Sequence, residues 1–190
     1  FNRRFSPYSH EIRKHTDKRN NPLFIQYRMN AGYLPADHWV HKDGGRIIGE
    51  GCHIIDLMTS FIKDKIISIS VESLTPKNSY LFSDDNKSII LKYADGSIAN
   101  IQYFANGAKS LTKEYMEIHF DSKTIVMDNY KSLKGYNLKL KELTSRINEK
   151  GHLEQLVSFY NSITGNDKDW PIELWDMIQT TEASFMIKDS

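Results

Sequence analysis

Ser88-Ile89-Ile90-Leu91-Lys92-Tyr93-Ala94-Asp95-Gly96-Ser97-Ile98-Ala99-Asn100-Ile101-Gln102-Tyr103-Phe104 is the stretch that decides the fold. Residues 88–93 and 98–104 both alternate with period two, the pattern of strands. Asp95-Gly96 between them supplies the positive φ angles of a two-residue hairpin turn. Residues 114–120 and 123–127 repeat the arrangement around Asp121-Ser122. Residues 66–71 alternate as well, and 136–140 are expected to add one more strand.

On the N-terminal side, Leu23, Ile25, Tyr27 and Met29 alternate with Gln26, Arg28 and Asn30, a half-buried strand over residues 22–30. Ser6-Pro7 opens a helix running to about residue 17, with Ser6 as cap and Pro7 at the first position. A loop rich in Tyr, Trp, His and Asp covers residues 31–43, and a helix follows over 46–62. Near the C-terminus, Leu153, Leu156, Val157, Tyr160 and Ile163 share one helix face, Gly165 suits the C-terminal cap, and a last helix spans about 171–187. Consecutive strands joined by hairpins and flanked by helices predict an α+β domain with a mainly antiparallel sheet. Neither a G-x-G-x-x-G turn nor a Walker loop occurs, so any nucleotide cofactor is expected to be held mostly by another domain.

The 190 residues are enough for one cored domain, residues 1–190. A net charge of +1 gives no electrostatic case for a nucleic-acid or membrane-surface partner. The single cysteine, Cys52, excludes an internal disulfide and fits a reducing, cytoplasmic setting. Phe1-Asn2-Arg3-Arg4-Phe5 begins abruptly, like the end of an element cut from a longer protein.

The helix over 46–62 carries the candidate chemistry. Gly44 and Gly45 precede it. Its apolar seams are Ile48, Cys52, Ile55, Thr59 and Ile62, then Ile47, Ile54, Met58 and Phe61. Glu50, His53, Asp56, Ser60 and Lys63 share the remaining polar stripe. Glu50 and Asp56 each lie three residues from His53, where a carboxylate would raise the imidazole pKa and fix its tautomer. Three roles for His53 remain open on pattern alone: a solvated surface histidine, a proton-transfer group, or a metal ligand with His38, His41 and Cys52. The spacing matches no zinc signature, and Cys52 and His53 point apart on a helix, so no metal site is assigned. Gly49 and Gly51 each cost the helix about 1 kcal/mol relative to Ala. Such a cost suits close approach of a ligand or of a packed strand to the backbone.

The segment from Gly44-Gly45 to Asp56 resembles the Gly-Gly-Gly-x-x-x-Asp-x-Gly-x-His-x-x-Asp motif of the glucose-fructose oxidoreductase / inositol dehydrogenase family (Gfo/Idh/MocA). Phe1-Asn2-Arg3-Arg4-Phe5 resembles the junction at which that family's N-terminal Rossmann domain passes into its C-terminal domain. Arg28-Met29-Asn30-Ala31-Gly32-Tyr33 and Ala36-Asp37-His38-Trp39-Val40-His41 resemble a subgroup fused behind a zinc-type alcohol dehydrogenase module. Gly151-His152 and the helix after it resemble the family's late helical segment.

The resemblance implies an open, mainly antiparallel sheet that supplies substrate and oligomer contacts, with helices on one face. It implies NAD or NADP bound mainly by the protein's own Rossmann domain, and hydride transfer at a carbon of a sugar, sugar nucleotide or polyol. By position His53 inherits the general acid/base role. The family's aspartate, four residues earlier, is Gly49 here, with Glu50 beside it as the replacement if the helix start is irregular. Tyr33, Asp37, His38, Trp39 and His41 supply the rings and polar groups a carbohydrate needs, with Arg28 and Asn30 as weaker contributors. Gly44 and Gly45 are weak candidates for cofactor contact. Residues 98–104 and 114–120 carry large side chains on both faces, consistent with a homo-oligomer formed through the sheet. The alternative is a non-catalytic sugar-binding or oligomerisation module derived from the same family.

Overall fold

Ser6 and Pro7 start the first helix as their chemistry dictates. Ser6 Oγ accepts the Ser9 N–H at 3.0 Å, and Pro7 opens α1 (Pro7–Thr16). The computed structural model describes residues 1–78 and 80–190. From α1 the chain passes into β1 (Phe24–Asn30), then a one-turn helix α2 (Trp39–Lys42) inside the expected loop. A π-helical turn, Ile47–Gly51, runs without a break into α3 (Cys52–Ile62). The strands follow: β2 (Ile66–Ser73), β3 (Lys87–Tyr93), β4 (Ile98–Phe104), β5 (Glu114–Phe120), β6 (Lys123–Asp128), β7 (Ser132–Tyr136) and β8 (Leu143–Thr144). Two helices close the chain, α4 (His152–Ile163) and α5 (Leu174–Lys188).

All eight strands form one open sheet in the order β2-β3-β4-β1-β5-β6-β7-β8. Every neighbouring pair is antiparallel except β1 with β4, because β1 is inserted between the two hairpin series. The predicted α+β fold class is thus the observed one. Period two turns Ile25, Tyr27 and Met29, with Leu91, Ile101, Met116 and Ile118 from neighbouring strands, onto one face. There they bury against Ile54, Leu57, Met58 and Phe61 of α3 and Tyr8 and Ile12 of α1. Full burial of such side chains contributes about 1.5–3 kcal/mol each. The other face is mostly polar, with Gln26, Arg28, Asn100, Gln102, Tyr115 and Glu117 brought together by the register.

Two local expectations need correction. The Ala94-to-Ser97 connection is not a two-residue turn. Tyr93 N–H donates to Ser97 O at 2.9 Å, and of the pair Asp95-Gly96 only Gly96 has positive φ (92°). This is the longer hairpin with one left-handed glycine, selected because Asp95 accepts both the Ser97 N–H and its hydroxyl. Asp121-Ser122 is the true two-residue turn, both residues having positive φ (46° and 58°). Residues 136–140 are not a strand: β7 ends at Tyr136, Asn137 turns left-handed, and Leu138 and Leu140 fold back over Gly135 and the core. The helix expected over Leu153 to Ile163 is present as α4, and its apolar face meets no core. None of its residues is buried, and Leu153, Leu156 and Tyr160 stand in solvent.

Two buried ion networks fasten the N-terminal turn. Arg3 donates from Nε to Glu114 Oε2 at 2.7 Å, and the same carboxylate accepts from the Tyr27 hydroxyl and from Lys150. Arg4 bridges Asp56 (2.5 Å) and Asp176 (2.7 Å), joining α3 to α5. The polar stripe of α3 is therefore largely interior: Asp56 and Ser60 are buried beneath these partners, not solvated.

Candidate active site

Gly44 and Gly45 both adopt left-handed backbone (φ 96° and 81°), which lets the chain reverse directly into the helix head. Arg46 then secures that head to the end of β1. Its guanidinium donates to Gly32 O at 2.5 Å and Ala31 O at 3.0 Å and lies over the Tyr103 ring at 5.6 Å. The π turn widens the helix here, as such turns often do at functional sites.

Glu50, within that turn, leans onto the sheet. Its carboxylate accepts from the Tyr103 hydroxyl at 2.8 Å and from Lys113 Nζ at 2.6 Å, with Arg46 at 3.6 Å. Burial acts to raise its pKa, but the bonds and charge of Lys113, then Tyr103 and Arg46, outweigh it and hold the group below the ordinary carboxylate value. The irregular helix start expected if Glu50 is to stand near the motif's acid position is present.

His53 stands in the first turn of the regular helix that starts at Cys52. Phe1 packs edge-on to its ring at 5.8 Å, and Nδ1 is buried without a hydrogen-bond partner among the described residues. Its pKa is pushed down to about 4, first by burial and then by the positive charge of Arg3. Glu50 and Glu114 act in the opposite sense and lose. The expectation that a neighbouring carboxylate raises this pKa is overturned, because Asp56 is committed to Arg4 and Glu50 to Lys113. Asp56 is itself pushed up to about 6, by burial. At neutral pH the arrangement presents a neutral imidazole with an unspent ring nitrogen beside a fixed carboxylate.

The other sequence candidates are scattered around this centre. Tyr33 stacks on Tyr80 at 4.2 Å. His38 caps α2, its Nδ1 accepting the Val40 N–H at 3.3 Å. Trp39 is 64% exposed and Asp37 is exposed. His41 lies between the Phe82 ring (4.8 Å) and Asp85 (3.9 Å). Asn30 is buried and donates to Ala108 O and Leu111 O, so it fastens the connection before β5. Arg28 lies over Tyr115 on the opposite sheet face from Tyr103 and Glu50. Sequence reasoning missed Arg46, Tyr103 and Lys113. Tyr103 and Lys113 are 53 and 63 residues from Glu50, and only the sheet register brings them to it.

No family model and no curated protein matches the chain. Solved structures do. UDP-N-acetylglucosamine 3-dehydrogenase GnnA from Acidithiobacillus ferrooxidans superposes with a TM-score of 0.73 at 15% identity, over 98% of this chain and 58% of that one. An oxidoreductase domain protein from Kribbella flavida gives 0.77 at 17% identity, over 99% and 61%. GenD2 from gentamicin A biosynthesis, in complex with NAD, gives 0.72 at 14%, over 100% and 59%. The chain therefore spans about three fifths of the length of each of these structures. At these identities the likeness establishes the fold: the open, mainly antiparallel sheet with helices packed on one face is shared with these oxidoreductases.

Proposed function

We propose that this chain is the substrate-binding and proton-transfer domain of an NAD(P)-dependent oxidoreductase acting on a sugar, sugar nucleotide or polyol. The observation that carries the reading is the helix head itself. Glu50 is fixed between Tyr103 and Lys113, and the neutral His53, whose Nδ1 has no hydrogen-bond partner among the described residues, follows one turn later. The resemblance to the Gfo/Idh/MocA motif and the shared fold of solved dehydrogenases support it. The subgroup fused to an alcohol dehydrogenase module is proposed on residues 28–33 and 36–41 alone.

The residues present fit a cofactor only in part. A Cβ built on Gly45 meets nothing within 4 Å, so its backbone is open to approach. A mainly antiparallel sheet offers no Rossmann crevice, and a Rossmann domain of the same protein would hold the dinucleotide. The nicotinamide, when bound, supplies the hydride acceptor or donor. His53, neutral, accepts the substrate hydroxyl proton during oxidation and returns it during reduction. Glu50 stays anionic beside it, steadied by Lys113, and favours the imidazolium as it forms. Tyr33, His38, Trp39 and His41 offer rings, and Asp37 a carboxylate, to a carbohydrate. The exposed face of α4 and the open sheet face are the surfaces left for a Rossmann domain and a second copy.

Replacing His53 by Ala in the full-length protein should cut turnover by about 10²–10⁴-fold on a sugar or polyol substrate with NAD(P). Turnover unchanged within a few fold would remove His53 from the chemistry. One observation favours a binding module instead: Gly49 stands where the motif has its acid, and its side is exposed. Protein that binds NAD(H) and sugar yet transfers no hydride across a substrate panel would select that reading.

A further inference from the structure

β2 lies at one end of the sheet, and β3 is the strand it pairs with. The opposite end is β8, two residues long. Sheets blunt a long end strand with lysine, proline, a bulge or a covering element, because its free N–H and C=O groups invite another strand. Ile66–Ser73 contains no lysine and no proline. Its irregularity, between Ile66 and Ser68, shields the start of the strand alone. There Ile66 N–H donates to Gln179 Oε1 at 2.9 Å. Beyond that point no hydrogen bond reaches the outer backbone edge of β2 among the described residues.

The free edge is complementary to itself. Leu74 N–H donates to Asn86 O at 2.9 Å, and Ser73 stands opposite Lys87. By the alternation of an antiparallel ladder, the N–H and C=O groups of Ser73, Val71 and Ile69 then point away from β3. A twofold axis through Ser70, normal to the sheet, keeps every side chain on its own face. It sets Ile69 of one copy opposite Val71 of the other, and each such pair exchanges both of its N–H···O bonds. On the outer face Ser70 meets its own copy and Glu72 meets Ser68, so no like charges oppose each other.

α5 runs beside the same edge, with a groove of about 410 Å³ between helix and strand. Ile67, 62% exposed, stands on the strand side, and the exposed Ile178 and Met186 stand on the helix side. A lone extended peptide would pair with β2 and leave the apolar residues of α5 in water. A second copy brings a strand for the edge and a helix for the groove in one operation. We propose that two copies of this chain associate through the β2 edge, antiparallel about Ser70, with the apolar residues of both α5 helices covering the joint. The contact uses neither the open sheet face nor α4, and it does not depend on the oxidoreductase reading.

The test is sedimentation velocity of the 190-residue chain from low to high micromolar concentration, combined with amide hydrogen exchange. A concentration-dependent dimer is expected, in which the outward amides of Ile69 and Val71 exchange more slowly than in the monomer. Ile67→Lys and Ile178→Lys, each at an exposed position that the fold does not need, should raise the dimer Kd by about tenfold or more. Gln102→Lys on the open sheet face and Leu156→Lys on α4 should leave it unchanged. A monomer at every concentration would overturn the proposal, as would a dimer that survives both Ile67→Lys and Ile178→Lys. A dimer lost in Gln102→Lys or Leu156→Lys but kept in the edge variants would assign the contact to those surfaces and overturn the β2 edge as its seat.

Discussion

Lys113 Nζ and Glu50 Oε1 lie 2.6 Å apart, joined across 63 residues of sequence. The pair places a cation of the β5 approach against the carboxylate of the π turn, and Tyr103 closes the other oxygen. Glu50 is thereby held ionised and oriented. In the full-length protein Glu50→Gln should lower kcat by about 10²–10³-fold, within the range of lost acid/base assistance. Lys113→Met, which frees the carboxylate without removing it, should cost about 10-fold to 100-fold, the worth of one charge-assisted hydrogen bond. Steady-state kinetics that rank Lys113→Met as more damaging than Glu50→Gln would show that the lysine, not the carboxylate, faces the substrate.

The His53 environment makes a second expectation. Its folded pKa of about 4 lies below the ordinary histidine value, so between these limits the unfolded chain binds the proton first. Protonation therefore opposes folding, and this residue's contribution to stability falls as pH drops from about 6.5 to about 4. The His53 Cε1–H resonance should titrate near pH 4, while a solvated histidine titrates near 6.5. A midpoint at or above 6.5 would mean that Glu50 does act on the ring and that the proton-transfer scheme needs a charged imidazole at rest.

These two sites show what the sequence alone made legible. Period two located β1 and β3 to β6, where buried positions recur along one face, and β2, where half-buried positions alternate with exposed ones past an irregularity at its start. It failed at 136–140, where Leu138 and Leu140 bury by folding back over Gly135 and not by pairing. Helical spacing located α4, although an amphipathic pattern shows that a face is apolar and not what covers it. His53 and Glu50 were readable from the motif, whereas their charge states were not. Those depend on Arg3, Lys113 and Asp56's partner Arg4, contacts of long sequence separation that no local spacing encodes.

Glu114 governs the acid limit of the fold. It is buried, accepts from Arg3, Tyr27 and Lys150, and is pushed down to about 2: burial opposes this, and the charge and hydrogen bonds of Arg3, then Lys150, prevail. The folded pKa lies below the unfolded one, so the unfolded state binds the proton first. Glu114's stabilisation is present above the ordinary glutamate pKa and is lost as pH falls from about 4.5 toward 2, on the order of 3 kcal/mol in all. Asp56 runs the other way. Its pKa is raised to about 6, so its contribution weakens as pH rises from about 4 to about 6. Urea unfolding of the 190-residue chain between pH 2 and 5 should show a steep acid limb that Glu114→Gln abolishes. The same variant should lose about 3–5 kcal/mol at pH 7, because Arg3 is left buried without its partner. An acid limb that persists unchanged in Glu114→Gln would assign it to other carboxylates.

Gly151 caps the start of α4 in left-handed backbone, φ 82°, directly against the N-terminal turn. A Cβ there would lie 2.4 Å from Ser6 N and 2.6 Å from Asn2 O, all of it backbone fixed by the Arg3 and Arg4 networks. Neither neighbour can rotate away as a side chain would. Gly165, past the end of the same helix, shares the left-handed conformation (φ 76°) but has nothing within 4 Å of its built Cβ. The two glycines separate conformational cost from steric cost. Gly165→Ala should cost about 1–2 kcal/mol, the left-handed penalty alone. Gly151→Ala adds the collision and should cost about 3 kcal/mol or more, a fall in melting temperature of roughly 6–12 °C for a domain of this size. Equal losses at the two positions would mean that the N-terminal turn yields, and that the Arg3 and Arg4 networks do not fix it against α4.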